Sequence, residues 1–529
     1  MRVASKLLAV LLTVGLMFSC TTTKAVEQKG VEHVLKVLHT NDHHGHPMAF
    51  YDYPAGDQGG LPAQATYVQG IRDANENVLV LSAGDFNTGR PESNFFNAEP
   101  DIIGFNYIGY DALTMGNHEY DHNWDDMQKQ IAQSDFPWLS ANVKKDGKYL
   151  DNVQPYIIKQ YDGFRVAILG LTTSKTALTG SPVNIKGLEF LDEVEVAKEL
   201  LPKLKKKADI VIALVHMGIY GDDNLEGSRR LAEEVPGFAM IVDGHTHTMM
   251  EEALVVNGTP IVQARQWGLY VGNATIKFMD GEVTGFDWEL DPINVQYRTK
   301  DADGNKTYHY VGEKIAKDET LVAKLQPYAD KVDAVLSEVI GNATDVFLND
   351  DTRKMETALG DLVSDSQVWF MEQRDQKVDF AFQNGGGIRA TLPAGEIQKK
   401  TVYEVLPFDN SITLVSLKGT DVIALFDKAA TNVGHGAMPQ VSKEVSLTIN
   451  QGDKTVEEVL INGEPIDPNR VYNIVANSYL ASGGDGYKIF NSKTYFYDSS
   501  LMQRDALIDY VVSLGGDITP ATDGRITIK

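Results

Sequence analysis

From Val31 onward, short runs of β-branched and aliphatic residues alternate with stretches of helical periodicity, and polar residues cluster where the runs end. The runs Val34 to Leu38, Val78 to Leu81, Ala112 to Thr114, Arg165 to Leu169, Ile210 to Val215 and Met240 to Val242 are bounded by Gly, Asn or Asp. This pattern predicts buried strands in an α/β domain, or in one layered α-β-β-α. The polar clusters that follow them are Thr40 to His46, Gly84 to Gly89, Gly116 to Asp121, His216 to Gly218 and Gly244 to Thr248. Loops at strand ends are where a rigid sheet presents chemistry.

Between about 285 and 310 the alternation weakens into a polar stretch around Asp301-Ala302-Asp303-Gly304-Asn305. A helix is predicted next, from Glu319 to Val339, with Leu321, Val322, Leu325, Tyr328, Val332, Val335, Leu336 and Val339 near 3.6-residue spacing. It reads as a linker between domains. Beyond it come predicted helices at Met355 to Gln373 and Val422 to Thr431, and strands at Val378 to Phe382, Ile412 to Leu417 and Tyr472 to Ala476.

A chain of 529 residues with 43% hydrophobic positions has material for two or more folded domains. Its net charge of −25, with no long basic run, excludes binding to nucleic acid as a polymer. Arg2 and Lys6 precede an apolar run, Leu7 to Phe18, that is too short for the roughly 20 residues of a membrane span. It reads as an export signal, and the lone Cys20 directly after it resembles the lipid-modified cysteine of a bacterial lipoprotein. The expected organisation is a signal peptide over 1–19, a tail over 20–32, a first domain over 33–311, a linker helix over 312–340 and a second domain over 341–529. The expected location is the bacterial cell envelope, through a lipid on Cys20, or otherwise the periplasm, and the expected state is a monomer.

Nine of the twelve histidines (His39, His43, His44, His46, His118, His122, His216, His245 and His247) fall in strand-end loops beside Asp42, Asp85, Asn117 and Asp121. Such a mixed nitrogen and oxygen set suits a transition-type divalent ion better than calcium. The ordered series D-x-H, G-D, G-N-H-E, H, G-H-x-H resembles the calcineurin-like metallophosphoesterases. That resemblance implies one metal on Asp42, His44, Asp85 and His247, and a second on Asp85, Asn117, His216 and His245, with Asp85 bridging. Zn, Mn, Co or Mg are the candidate ions. Two metals about 3.5 to 4 Å apart activate water and clamp phosphoryl oxygens during in-line displacement. His118 is expected to face the phosphoryl group as an imidazolium oriented by Asp121. His39, His43, His46 and His122 read as supporting or structural.

The second half narrows the substrate. Asn384-Gly385-Gly386-Gly387-Ile388-Arg389, Pro407-Phe408-Asp409-Asn410 and Asn477 to Tyr487 together resemble the C-terminal domain of the 5′-nucleotidase family. The resemblance implies a nucleotide-binding α/β domain in which Phe408 and Tyr479 sandwich the base. Asp485 would take the ribose hydroxyls, Asn384 the base edge, and Arg389 and Arg353 the phosphate. It also implies motion of one domain against the other. The expected activity is hydrolysis of 5′-nucleotides, extending to ATP, ADP and UDP-sugars. A 2′,3′-cyclic phosphodiesterase with 3′-nucleotidase activity and a non-catalytic nucleotide-binding lipoprotein stay open as alternatives.

Overall fold

The structure is a computed structural model that describes residues 30–529 apart from 53, 180–183, 221–224 and 301–305. The export signal and Cys20 lie outside the described residues. Two stacked sheets form the centre of the first domain. One runs in the order Glu282–Pro292, Tyr270–Met279, His33–Thr40, Val78–Ser82, Ala112–Thr114, Trp138–Leu139, Val153–Gln154. The other runs Tyr156–Gln160, Arg165–Thr172, Ile210–His216, Met240–Val242, Thr259–Val262, Leu254–Val256.

Side chains alternate across each strand, so every strand serves two cores. Leu35, Val37, Leu79 and Leu81 of the first sheet meet Ile168, Ile212, Leu214 and Val242 of the second. The opposite faces are covered by helices: Leu61–Ala74 and Glu99–Ile108 over the first sheet, Glu193–Leu204 and Gly227–Glu234 over the second. This is the expected α-β-β-α layering. His33–Thr40, Val78–Ser82 and Ala112–Thr114 are parallel, as are Arg165–Thr172, Ile210–His216 and Met240–Val242. Parallel strands place their C-terminal loops along one rim, which gathers the polar clusters.

The stretch over 285–310 corrects the sequence reading. Glu282–Pro292 is an edge strand paired antiparallel to Tyr270–Met279, and Gln296–Lys300 pairs with Lys306–Tyr310 as a hairpin. These strands are largely solvated, so they carry no apolar run for a sequence reading to find.

The linker helix spans Glu319–Leu336, with the Asp318 carboxylate accepting from the Leu321 N–H at its start. It buries Leu321, Leu325, Ala329, Val332 and Leu336, while Val335 is exposed and Val339 opens the strand Val339–Ala343. In the second domain a five-stranded sheet runs Pro439–Val441, Phe380–Asn384, Val471–Asn477, Ser411–Lys418, Tyr495–Met502. Ala358–Glu372 and Gln503–Leu514 pack on one face and Gly419–Ala430 on the other. The helix expected from Met355 begins instead at Ala358, because the Thr357 hydroxyl caps it by accepting from the Gly360 N–H at 3.0 Å. Arg353 to Glu356 are therefore loop.

The two domains meet along a charged seam. Arg90 pairs with Glu404 at 2.7 Å, Lys400 with Glu92 at 2.6 Å, and the Asn94 amide donates to the Pro407 carbonyl at 3.1 Å.

Candidate active site

Backbone conformation marks the rim before any side chain does. Asp42, His44, Asp85, His245 and His247 all sit at positive φ, between 48° and 80°. Non-glycine residues in that region cost of order 1–3 kcal/mol each and persist where the surrounding structure over-determines them. The adjoining glycines are sterically required. A Cβ on Gly116 would fall 2.2 Å from Asp85 Oδ1, and one on Gly244 would fall 3.0 Å from Asp42 Oδ2.

Six of the seven expected ligands, Asp42, His44, Asp85, His216, His245 and His247, converge, and Asn117 lines the same cleft. His44 Nε2 lies 3.2 Å from His247 Nε2 and 3.7 Å from Asp85 Oδ2. His247 Nε2 is 3.3 Å from Asp42 Oδ1, and His216 Nε2 is 3.0 Å from Asp85 Oδ2. The convergent groups are Asp42, His44, His247 and Asp85, His216, His245, with Asp85 also grouped with His44 and His118. The other imidazole nitrogens are committed elsewhere: His44 Nδ1 donates to the Asn87 carbonyl at 2.9 Å and His216 Nδ1 to the Ala83 carbonyl at 2.7 Å. Those bonds leave Nε2 as the inward lone pair, the arrangement metal-binding histidines use.

The donor chemistry fits divalent ions. Asn117 Oδ1 is buried without a hydrogen-bond partner, and His216 Nε2 is buried facing the carboxylates of Asp85 and Asp42. Burial holds His245 down to about 3 and His44 well below the ordinary histidine value, so both imidazoles are neutral, the form a metal ligand needs. Burial would lower His216 too, but Asp85 and Asp42 outweigh it and raise it to about 10, so the carboxylates demand positive charge there.

His118 stands at the mouth of this cluster. Its backbone N–H donates to Asp85 Oδ1 at 2.9 Å, and its Nδ1 meets Asp121 Oδ2 at 2.7 Å, as expected for an oriented imidazole. Burial opposes its charge, yet Asp121 and Asp85 hold its pKa above the ordinary histidine value. His46 Nδ1 donates to the His43 and His44 carbonyls, His43 pairs with Asp101 at 2.8 Å, and His39 is buried against Trp288. His122 lines the cleft.

Sequence reasoning missed the braces of the ligand loops. Glu119 accepts from the backbone N–H groups of Asp85, Phe86, Asn87 and Gly116, tying two ligand loops to one carboxylate. Burial, with Asp85 next, pushes its pKa up to about 7. Asp243 does the same for Met217, Gly218 and Gly244. Glu119 was visible as the last letter of G-N-H-E; Asp243, directly before Gly244, carried no signal beyond its position.

This cluster of histidines and carboxylates opens into a cleft of about 1240 Å³ between the domains, lined also by Arg353, Asn384, Arg389, Phe408, Tyr479 and Asp485. Arg389 is buried and Arg353 half-buried beside it, and Arg389 Nη2 has no hydrogen-bond partner. Burial, then Arg353, lowers Arg389 to about 10. The Phe408 ring stacks on His118 at 5.5 Å. Tyr479 Oη donates to Asp485 Oδ1 at 2.9 Å, and Asn384 Nδ2 donates to Asp485 Oδ2 at 2.9 Å. Asn384 Oδ1 accepts in turn from Asn477 at 2.9 Å, so Asn384 also braces Asp485 in addition to facing the cleft.

Comparison with known proteins agrees with this division. Residues 35–249 match the family model for calcineurin-like phosphoesterases, and residues 339–492 match that for the 5′-nucleotidase C-terminal domain. The chain is 34% identical to Protein UshA of Yersinia enterocolitica, over 97% of this chain and 96% of that one. It is 36% identical to a 5′-nucleotidase of Vibrio parahaemolyticus, over 90% of this chain and 89% of that one. Among solved structures, a 5′-nucleotidase precursor from Thermus thermophilus superposes with a TM-score of 0.84 at 27% identity, covering 94% of this chain and 99% of that one.

Proposed function

We propose that this chain, which belongs to the 5′-nucleotidase family of metal-dependent phosphoesterases, releases inorganic phosphate from 5′-nucleotides outside the cytoplasm. The observation that carries this reading is that one cleft joins the histidine and carboxylate cluster, the cations Arg353 and Arg389, and the Phe408, Tyr479 and Asp485 face.

In this reading Asp42, His44, Asp85 and His247 hold one divalent ion, and Asp85, Asn117, His216 and His245 hold another. When bound, such ions supply Lewis acidity to the phosphoryl oxygens and lower the pKa of the attacking water. Arg389 and Arg353 fix the phosphate in line with that cluster, the planar guanidinium fork of Arg389 using its unpartnered donor. His118, kept protonated by Asp121, stabilises charge on the phosphoryl group or on the departing 5′ oxygen. Phe408 and Tyr479 flank the base, a contact tolerant of base identity because every base has a π face. Asp485, fixed by Tyr479 and Asn384, accepts from the ribose hydroxyls. The division into domains at 33–311 and 341–529 follows the same logic, one holding the scissile phosphate and the other the nucleoside.

Export and lipid attachment at Cys20 belong to this reading, and no helix among the described residues is long and apolar enough to cross a membrane. Cys20→Ala is expected to release the protein from the membrane fraction of cells; unchanged fractionation refutes the anchor.

The catalytic test uses purified mature protein, dialysed and then supplied with Mn²⁺, Co²⁺, Zn²⁺ or Mg²⁺. AMP, 3′-AMP, 2′,3′-cyclic AMP, ATP and UDP-glucose are offered, and phosphate and nucleoside release are followed. AMP turnover lost on chelation and in Asp85→Ala is expected. Reaction with cyclic or 3′ substrates alone overturns the nucleoside site, and silence with every metal overturns catalysis.

A further inference from the structure

A second group of carboxylates lies in the C-terminal domain, outside the cleft. Oxygens of Glu356, Asp361 and Asp523 come within 4.8 Å of one another. They arrive from three segments: the loop before Ala358–Glu372, the first turn of that helix, and the tail before strand Ile526–Ile528.

Two of the three are held by hydrogen bonds. Glu356 Oε1 accepts from the N–H groups of Asp523 and Gly524, both at 2.9 Å, and Oε2 from Ile526 at 2.8 Å. Asp523 accepts from Arg525 at 2.7 and 3.1 Å, and the same guanidinium forks onto Asp365 at 2.8 and 2.9 Å. Asp361 differs. It is only 4% exposed, and both its oxygens are buried without a hydrogen-bond partner. The nearest cationic atom, Arg525 Nε, is 3.6 Å away and donates to Asp523.

Three carboxylates, Asp361, Asp365 and Asp523, thus share one guanidinium, with Glu356 beside them. An unpartnered buried carboxylate is costly, and it is relieved either by a cation or by a proton. Burial, working against Arg525, pushes Asp361 up to about 8, which expresses that demand. The donors are all carboxylate oxygens, the set preferred by calcium, and the Asp523 side chain is 57% exposed, so water has access to complete a coordination shell.

We propose that Glu356, Asp361 and Asp523 hold a divalent cation of calcium type, distinct from the ions of the catalytic cleft. Glu356 lies three residues after Arg353, and Gln440 holds the Thr352 and Met355 carbonyls on either side of it. The cation therefore clamps the C-terminal tail to the loop that carries Arg353.

The experiment is a thermal melt of the full mature enzyme with its cleft metals supplied as Mn²⁺, titrated with CaCl₂. A saturable rise in Tm on the order of 5 °C at high occupancy is expected. It should persist in Asp85→Ala and vanish in Asp361→Asn. No rise, or an equal rise in Asp361→Asn, overturns the site. Should Asp361→Asn fail to fold, Tb³⁺ luminescence of the Asp85→Ala protein decides. Emission displaced by Ca²⁺ supports the site, and its absence refutes it. The rival is a proton. A carboxyl raised in the folded state binds that proton between the unfolded value near 4 and the folded value near 8. Stability would then fall as pH rises through that window, and persistence of the fall in saturating Ca²⁺ overturns the proposal.

Discussion

At the scale of single residues, His118 divides its work between two nitrogens. Nδ1 is occupied by Asp121, which leaves Nε2 for the substrate. His118→Ala is expected to lower kcat by about 10² to 10⁴-fold with metal content unchanged, and elemental analysis beside kinetics checks this. Loss of metal in the variant would recast His118 as a ligand. Asp121→Asn should cost about 10 to 100-fold. The sign of its pH effect follows from the charge balance. Because the carboxylates keep His118 protonated above the ordinary histidine range, the acid form is lost only as pH rises through that raised value. Removing the Asp121 charge should therefore bring the basic limb of the kcat/KM profile to lower pH, and an unmoved limb refutes the assignment. Phe408 is argued separately. Stacking on a base is worth about 1–3 kcal/mol, so Phe408→Ala should raise KM for AMP by about tenfold or more, while Phe408→Tyr retains most of the binding.

At the scale of the elements, the ligand loops work because glycine lets strand ends approach one another. A methyl group on Gly116 would overlap Asp85 Oδ1, so Gly116→Ala must displace the carboxylate shared by both ligand groups. The variant is expected to fold with its sheets intact by circular dichroism yet to lose metal on dialysis. Retention of metal at the parent level would show that the loop gives way instead. This is also where the sequence was most legible. A buried parallel strand is an apolar run that ends at a polar loop, so the run and the chemistry after it appear side by side in one dimension, as at Val78 to Asp85. Edge strands such as Glu282–Pro292 and the paired strands Gln296–Lys300 and Lys306–Tyr310 have solvated faces and no such contrast, so the stretch reads as a weakened, polar pattern. The helix Ala358–Glu372 starts three residues after the Met355 expected from the sequence, because the Thr357 cap decides the start. Braces such as Asp243 and the pair His43 and Asp101 act across distances in the chain that no local pattern encodes.

At the scale of the whole molecule, the proposed substrate cleft lies between two domains joined along a charged seam, so access depends on whether the seam opens. Arg90 is the hub: largely buried, it meets Glu404 at 2.7 Å and Glu92 at 3.5 Å, while Lys400 meets Glu92 and Asp333. Burying charge is repaid only while every partner is in place, which makes such a seam two-state rather than soft. Phe95 and Tyr403 touch beside it, edge to face at 5.6 Å, one from each domain and Phe95 well exposed. The only native cysteine is Cys20, outside the described residues, so a pair introduced as Phe95→Cys and Tyr403→Cys is chemically unambiguous. Joining them with a short reducible thiol cross-linker holds the domains as they are here. If nucleotide enters and nucleoside leaves by parting of the domains, AMP turnover should fall below about a tenth of that of the same variant before linking, and return on reduction. Undiminished turnover would mean that the cleft admits its substrate in this arrangement, and that the charged seam serves stability rather than gating.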